Sequence, residues 1–356
     1  MLKHFVVAVI VTCGLVLAIQ NCSAQSTVLN LPRDSQHSVL TQRIGITDIT
    51  IDYHRPLVKG RTIWGKVVPY GQVWRAGANE NTTITFTDPV MIEGHPLAKG
   101  VYGLHMIPGE NEWTVIFSSA HTAWGSFTYK QADDALRVTA KPRASEFHEA
   151  LTYDFDDVKV DSALAVLSWE RVSVPFKIDV NVHDIVQASL HNQLTGLAQY
   201  TWEGWDDAAN YLLAQKYDLD EALEYEGKSI QNEERFDNLM TKSQILDALN
   251  RKDDAKASRE KAIAMANTLQ LHGYGRQLQN QGQQDQAFEI FKMNIRKDPN
   301  HWIVHSEIAR MACAQGDFDK AVKEMKLSAS AAPDQARPFM EGMVKRLEAK
   351  EDINKN

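Results

Sequence analysis

The stretch VSVPFKIDVNVHDIVQASLHNQL, Val172 to Leu194, contains the change of period that decides the fold. Up to Val182 apolar residues fall at every second position: Val172, Val174, Phe176, Ile178, Val180 and Val182. Ser173, Lys177, Asp179 and Asn181 stand between them. Such alternation sends the apolar side chains to one face of a strand. Pro175 interrupts it, and a residue without an N–H directs the strand to a sheet edge or a bulge. From His183 the alternation stops. Leu190, Leu194, Leu197 and Tyr200 fall at helical spacing, so 183–204 is expected to be a connecting helix packed against both flanking domains.

Upstream of that switch the two-residue period recurs. Ile49, Ile51 and Tyr53 alternate with Thr50, Asp52 and His54. Leu136, Val138 and Ala140 alternate with Arg137, Thr139 and Lys141, and Leu151, Tyr153 and Phe155 follow the same rule. Ala98-Lys99-Gly100 and Pro108-Gly109-Glu110-Asn111 read as hairpin turns on either side of a strand over 101–107. Short strands between turn signals predict an all-β, sandwich-like domain over 36–182.

Downstream, helix formers dominate and the pattern repeats. Ala222, Ala255, Ala287 and Ala321 are separated by 33, 32 and 34 residues. Gly282 and Gly316 are 34 apart, as are Pro299 and Pro333. Ala lets two helices approach closely, Gly ends the first helix of a pair, and Pro stops the second. Phe288, Phe291 and Phe318 add bulk to the shared core. The units resemble the tetratricopeptide repeat, a helix–turn–helix pair of this length. The first two units, around Ala222 and Ala255, lack the Gly and Pro and are degenerate. An all-α repeat array is expected over 205–351, closed by a capping helix from Pro338 to Glu351.

The chain has 356 residues, 44% apolar and 24% charged, as in ordinary soluble domains. Residues 1–24 stand apart. Lys3 precedes an apolar run from Phe5 to Ile19, and Cys22-Ser23-Ala24 offers a small-residue cleavage site, as in a secretory signal. That places the mature protein in the periplasm or outside the cell. The apolar run falls short of the ~20 residues that a bilayer span needs, so no stable membrane span is expected after cleavage. Lipidation at Cys22 is a rival route, although Ile19-Gln20-Asn21 departs from the small-residue pattern expected before such a cysteine. Cleavage takes the formal charge from -8 to -9 by removing Lys3. An acidic chain without a basic stripe repels phosphate backbones, which argues against nucleic acid as a partner. Cys313 then remains alone, in the apolar pattern Ile308, Ala309, Ala312, and reads as a small buried hydrophobe.

One loop, Val68 to Phe86, concentrates polar and aromatic residues among Gly71 and Gly77. It sits within an ordered series: Tyr53-His54-Arg55-Pro56, Lys59-Gly60-Arg61, Val68-Pro69-Tyr70-Gly71, Trp74-Arg75-Ala76-Gly77-Ala78-Asn79-Glu80, Ala98-Lys99-Gly100-Val101-Tyr102-Gly103 and Ile107-Pro108-Gly109. The series resembles a secreted bacterial family, domain of unknown function 2911, across Gln36 to Asp179. The resemblance implies a β-rich extracytoplasmic domain, often followed by helical repeats. It implies no activity, and no catalytic residue is carried over from it.

The candidate ligand-binding residues are Arg55, Arg61, Trp74, Arg75, Asn79, Glu80 and His105. Arginine forks bind carboxylate or phosphate bidentately. Trp64, Tyr70 and Trp74 offer flat apolar faces for a sugar ring, and Asn79 and Glu80 accept hydrogen bonds from hydroxyls. The competing account is architectural: a buried arginine pairs with Glu80, and Asn79 satisfies turn amides. No metal centre is expected. HExxH is absent, and His301, His305 and Glu307 supply only a helical His pair with a neighbouring acid. No cofactor is expected either, because the chain has no phosphate loop, no GxGxxG after a strand and no GxSxG elbow.

These features predict an extracytoplasmic binding or scaffold protein. Its β domain takes a small molecule, a glycan or small anion, or serves as a docking face. Its repeats take a protein or peptide partner. The alternative is an envelope-acting hydrolase or metal-dependent enzyme that uses His54, His105, Glu80 and the arginines.

Overall fold

The computed structural model describes residues 31–354. The segment read as a secretory signal, with Cys22, lies outside the described residues. Two compact units divide between Val182 and His183, at the change of period.

Among the described residues the first unit has ten strands: β1 (Gln36–Ile44), β2 (Thr47–Arg55), β3 (Thr83–Phe86), β4 (Val90–Ile92), β5 (His95–Leu97), β6 (Gly100–Ile107), β7 (Trp113–Ser118), β8 (Asp134–Ala140), β9 (Arg143–Asp156) and β10 (Ser162–Asp179). They form two sheets, in the order β1-β2-β3-β6-β7-β8 and β5-β4-β10-β9. Along β2, Thr47, Ile49, Ile51 and Tyr53 are buried while Asp48, Thr50 and Asp52 are partly exposed. The alternation therefore has the expected consequence. The two sheets face each other. Phe117 of β7 meets Phe176 of β10 edge-on at 5.9 Å, and Tyr53 of β2 meets Tyr153 of β9 at 4.8 Å. The Tyr53 hydroxyl also accepts the Tyr153 backbone N–H at 3.1 Å.

Two local expectations change. Pro108–Asn111 joins β6 to its antiparallel neighbour β7 as a hairpin. Ala98-Lys99-Gly100 does not make a hairpin, because β5 pairs with β4 and the chain then crosses to the other sheet to begin β6. β10 is not an edge strand, since it lies between β4 and β9. Its ladder with β9 ends at Ser173, and its pairing with β4 begins at Ile178. Pro175 falls in the gap, where no ladder needs its missing N–H. The bulge lies slightly upstream, at register shifts around Glu170, whose φ is +56°.

The second unit contains α1 (Val182–Gln193), α2 (Trp202–Gln215), α3 (Leu219–Asn232), α4 (Phe236–Ala248), α5 (Lys252–Met265), α6 (Thr268–Asn280), α7 (Gln284–Lys297), α8 (Trp302–Ala314), α9 (Phe318–Ala331) and α10 (Arg337–Glu348). Helices α2 to α9 pack as consecutive pairs, and α10 packs on α9. Ala222, Ala255, Ala287 and Ala321 lie in the second helix of each pair and are essentially inaccessible, as close helix approach demands. Gly282 and Gly316 turn between paired helices at φ +76° and +79°. The degenerate pairs make the same turn without glycine: Asn250 (φ +61°), Lys216 (φ +53°) and Asp218 (φ +40°) take left-handed conformations. Asn and Asp tolerate that region better than most side chains. The segment 183–204 is not one helix. α1 stops at Gln193, a short 3-10 turn spans Leu197–Tyr200, and α2 starts at Trp202 with the Thr201 hydroxyl capping Gly204 N–H.

Packing inside the array sets one glycine. A Cβ on Gly275 of α6 would stand 2.3 Å from Cε1 of Phe291 on α7, and Phe291 is fully buried. Gly275→Ala is therefore expected to destabilise the unit by about 1–3 kcal/mol through overpacking. In an open helix the same change stabilises by roughly 1 kcal/mol. The urea midpoint of the 222 nm signal reads the sign, and a higher midpoint would refute the close contact.

Candidate functional site

The loop from Val68 to Glu80 is held in an extended but irregular path. Trp74 exchanges both backbone hydrogen bonds with Met106 of β6, each at 2.8 Å, and its indole N–H donates to the Gly77 carbonyl at 3.1 Å. Ala76 and Asn79 are left-handed, at φ +51° and +60°. The Ala76 carbonyl accepts from the Tyr153 hydroxyl at 2.9 Å and from Thr82 at 3.2 Å. Packing on β9 thus holds the strained residue in place.

This path opens a cavity of about 450 Å³, lined by Lys59, Arg61, Trp74, Arg75 and Asn79 from the loop region, by Asp34, and by Trp169 from β10. Trp74 and Trp169 lie nearly parallel, 6.0 Å apart. Trp64 packs edge-on against Trp74, Trp169 and Trp113, the last at 4.9 Å. One wall of the cavity is therefore aromatic and stiff.

The polar wall is rich in donors. Arg75 Nε, Asn79 Nδ2 and Trp169 Nε1, and Trp64 Nε1 behind the lining, are buried with no hydrogen-bond partner among the described residues. All four are N–H groups, and orphaned buried donors are rare enough to require an explanation. Burial alone lowers the proton affinity of the Arg75 guanidinium. Arg61 donates to the carbonyls of Val58 at 3.1 Å and Leu57 at 2.5 Å, which leaves its charge unneutralised. Lys59 pairs with Asp34 at 3.0 Å, the one acid among the lining residues.

The predicted site residues separate into four places. Arg61, Trp74, Arg75 and Asn79 share the cavity. Arg55 points away and clips β2 to β9, donating to the Leu151 carbonyl at 3.0 Å and the Thr152 hydroxyl at 2.7 Å. Glu80 does not pair with Arg75. It binds both its oxygens to Arg33, at 2.8 and 2.9 Å, and stands 3.6 Å from His54. Burial pushes the Glu80 carboxyl up, but the Arg33 hydrogen bond and charge outweigh it and hold the group below its ordinary value. His54 is shifted down, first by burial, with Glu80 opposing. His105 is buried and turned toward Ser126 (3.0 Å), and burial pushes it down to about 4 against the pull of Asp134. His54 and Glu80 therefore meet, and His105 does not join them. Tyr70 is substantially exposed and lies against Gly65 rather than in the cavity lining. In the array, His305 pairs with Glu324 and Glu307 with His272, so His301, His305 and Glu307 do not form one ligand set. Among the described residues no three His, Cys, Asp or Glu side chains are arranged to hold a metal ion. Cys313 is a free, buried thiol raised by burial.

Sequence reasoning missed Trp169 and Arg33. Trp169 had a weak signal, because it continues the inward positions Ala165 and Leu167. Arg33 had none, since it precedes the first strand.

The architecture is a β-sandwich-like unit followed by a tetratricopeptide-like array. Residues 35–178, within the β unit, match the family described as "Protein of unknown function (DUF2911)". Among solved structures, that of YrrB, a TPR protein with an unusual peptide-binding site, is 15% identical. The match spans 47% of this chain and 87% of that one, with a TM-score of 0.27. No curated protein matches the chain.

Proposed function

We propose that this is an extracytoplasmic binding protein whose β unit captures a small anionic ring compound, of the acidic-sugar type, and whose repeats hold a protein or peptide partner. The observation that carries the reading is Arg75. Its guanidinium lines the cavity beside parallel Trp74 and Trp169, and its buried Nε has no partner among the described residues. A ligand carboxylate supplies what Arg75 lacks, and a pyranose face suits the partly exposed Trp74 indole, which Trp169 backs. The residues 1–24 support export.

Titration calorimetry with glucuronate, glucose and inorganic phosphate tests it. Glucuronate is expected to bind at least tenfold tighter than glucose, and Arg75→Ala to remove that binding. Because Arg75 makes no protein hydrogen bond through Nε, the substitution is expected to change folding stability by less than about 1 kcal/mol. A large stability loss would return the loop to a purely architectural role, and saturable binding unaffected by Arg75→Ala would place the ligand elsewhere.

A further inference from the structure

After α10 the chain reverses at Lys350, whose φ is +60°, and runs back across the array. α10 packs on α9, and the short strap Glu351–Asn354 follows it. The strap lies on α8 and α6, the first helices of two successive pairs. The Ile353 carbonyl accepts from Arg310 Nη1 at 2.6 Å. The Asn354 side chain is read at both ends: its Nδ2 donates to the Arg310 carbonyl at 3.0 Å, and its Oδ1 accepts from Gln279 Nε2 at 2.9 Å. Gln279 is itself oriented by Arg276 at 2.5 Å. Ile353 is 2% exposed and joins the apolar cluster of Val304, Ala309 and Leu347.

Charge matches as well. Arg346 donates to the Glu351 carboxylate at 3.2 Å and to the Asp352 carbonyl at 3.2 Å. Arg310 is pushed down to about 9, chiefly by burial and then by the neighbouring positive charges of Arg276 and Arg346. Glu351 and Asp352 bring acid to this cluster of guanidiniums. Arg310 Nε remains buried and without a partner, although the residue is 4% exposed. The strap therefore answers most of what this face offers, but not all of it.

We infer that the α6–α8 face is a peptide-docking surface which the chain keeps occupied with its own segment Glu351–Asn354, and that it takes an extended acidic peptide carrying a large aliphatic residue followed by Asn. This rests on reading the repeats as a peptide-holding array and adds the class of peptide and the occupant it must displace. Capping by α10 on α9 does not account for the strap's hydrogen bonds to Arg310 of α8 and Gln279 of α6. The contacts are those of peptide recognition: a backbone carbonyl, a carboxamide held from both sides, an apolar anchor and flanking acids.

The test uses the full chain and a fluorescent peptide of Lys350–Asn354 as probe. In wild type the attached strap competes at high effective concentration and suppresses probe binding. Ile353→Ala loosens the strap, and the probe is expected to bind that variant at least tenfold tighter than wild type by anisotropy. Gln279→Ala added to it should abolish the gain, and a probe with alanine at the Ile353 position should not bind. Asn354→Ala in the full chain serves as a second loosened variant if Ile353→Ala loses helical signal. The proposal is overturned if either helical variant binds the probe no better than wild type. Equal binding of the probe and its alanine version would also overturn it, by reducing the effect to charge attraction. Loss of probe binding with a different peptide still retained would reject this face while leaving the array a binder.

Discussion

Trp169→Ala is expected to lower the stability of the β unit by about 3–5 kcal/mol. Trp169 is among the largest fully buried side chains and touches two other indoles, Trp64 at 5.8 Å and Trp74 at 6.0 Å. Removing it leaves a void that the stiff neighbours cannot fill, and the loss of dispersion contacts adds to the transfer term. It also removes one wall of the loop cavity. Trp169→Phe should cost less than half as much, because the indole N–H has no hydrogen-bond partner to lose. Near-UV circular dichroism through a urea titration follows the coupled indoles directly. A midpoint for Trp169→Ala that implies a loss under about 1 kcal/mol would mean that the tryptophan cluster does not hold the two sheets together.

Glu226→Gln should act in the opposite direction. Glu226 of α3 is fully buried, and Asp206 of α2 is nearly so. Neither oxygen of Glu226 has a hydrogen-bond partner among the described residues. Burial, then the neighbouring Asp206 carboxyl, pushes Glu226 up to about 10 from an ordinary 4.5, with Lys242 opposing weakly. A folded-state value above the unfolded one means that the folded protein keeps a proton which the unfolded chain releases. The stabilising contribution is complete below about pH 4.5 and declines as pH rises toward 10, with a limiting slope of about 1.4 kcal/mol per pH unit. Glutamine carries no such penalty. Glu226→Gln is therefore expected to be close to neutral near pH 4 and to stabilise by several kcal/mol, up to about 5 kcal/mol on that slope, near pH 8. His272, pushed down to about 3, and Glu307, pushed up to about 8, titrate in the same unit. Their contributions are common to both proteins, so the difference in urea midpoints against pH isolates the coupled Glu226–Asp206 pair. A difference that is flat with pH, or a destabilised variant at pH 8, would show that Glu226 is ionised in the fold.

The sequence by itself determined the change from strands to helices at Val182, the inward faces of β2 and β10, and the 32–34-residue repeat of close-packed alanines. Each is a property of local period: which side of a strand or helix a residue occupies follows from its neighbours in the chain. The turns of the first two repeats were obscured only because Lys216, Asp218 and Asn250 adopt a backbone conformation that glycine usually signals. Arg61, Trp74, Arg75 and Asn79 could be nominated because they crowd one short loop.

Tertiary structure alone decided which nominees meet. Arg55 and His105 stand near the loop in sequence or sheet, yet they point into other packing. Glu80 chose Arg33 over Arg75. Trp169 reached the cavity because β10 lies in the sheet facing β6, through crossovers that no residue period encodes. The strap's seat on α6 and α8 likewise depends on how the pairs stack and where α10 turns the chain. Periodicity assigns a face to every side chain, but only the packing of sheets and helix pairs brings distant faces to within hydrogen-bonding distance.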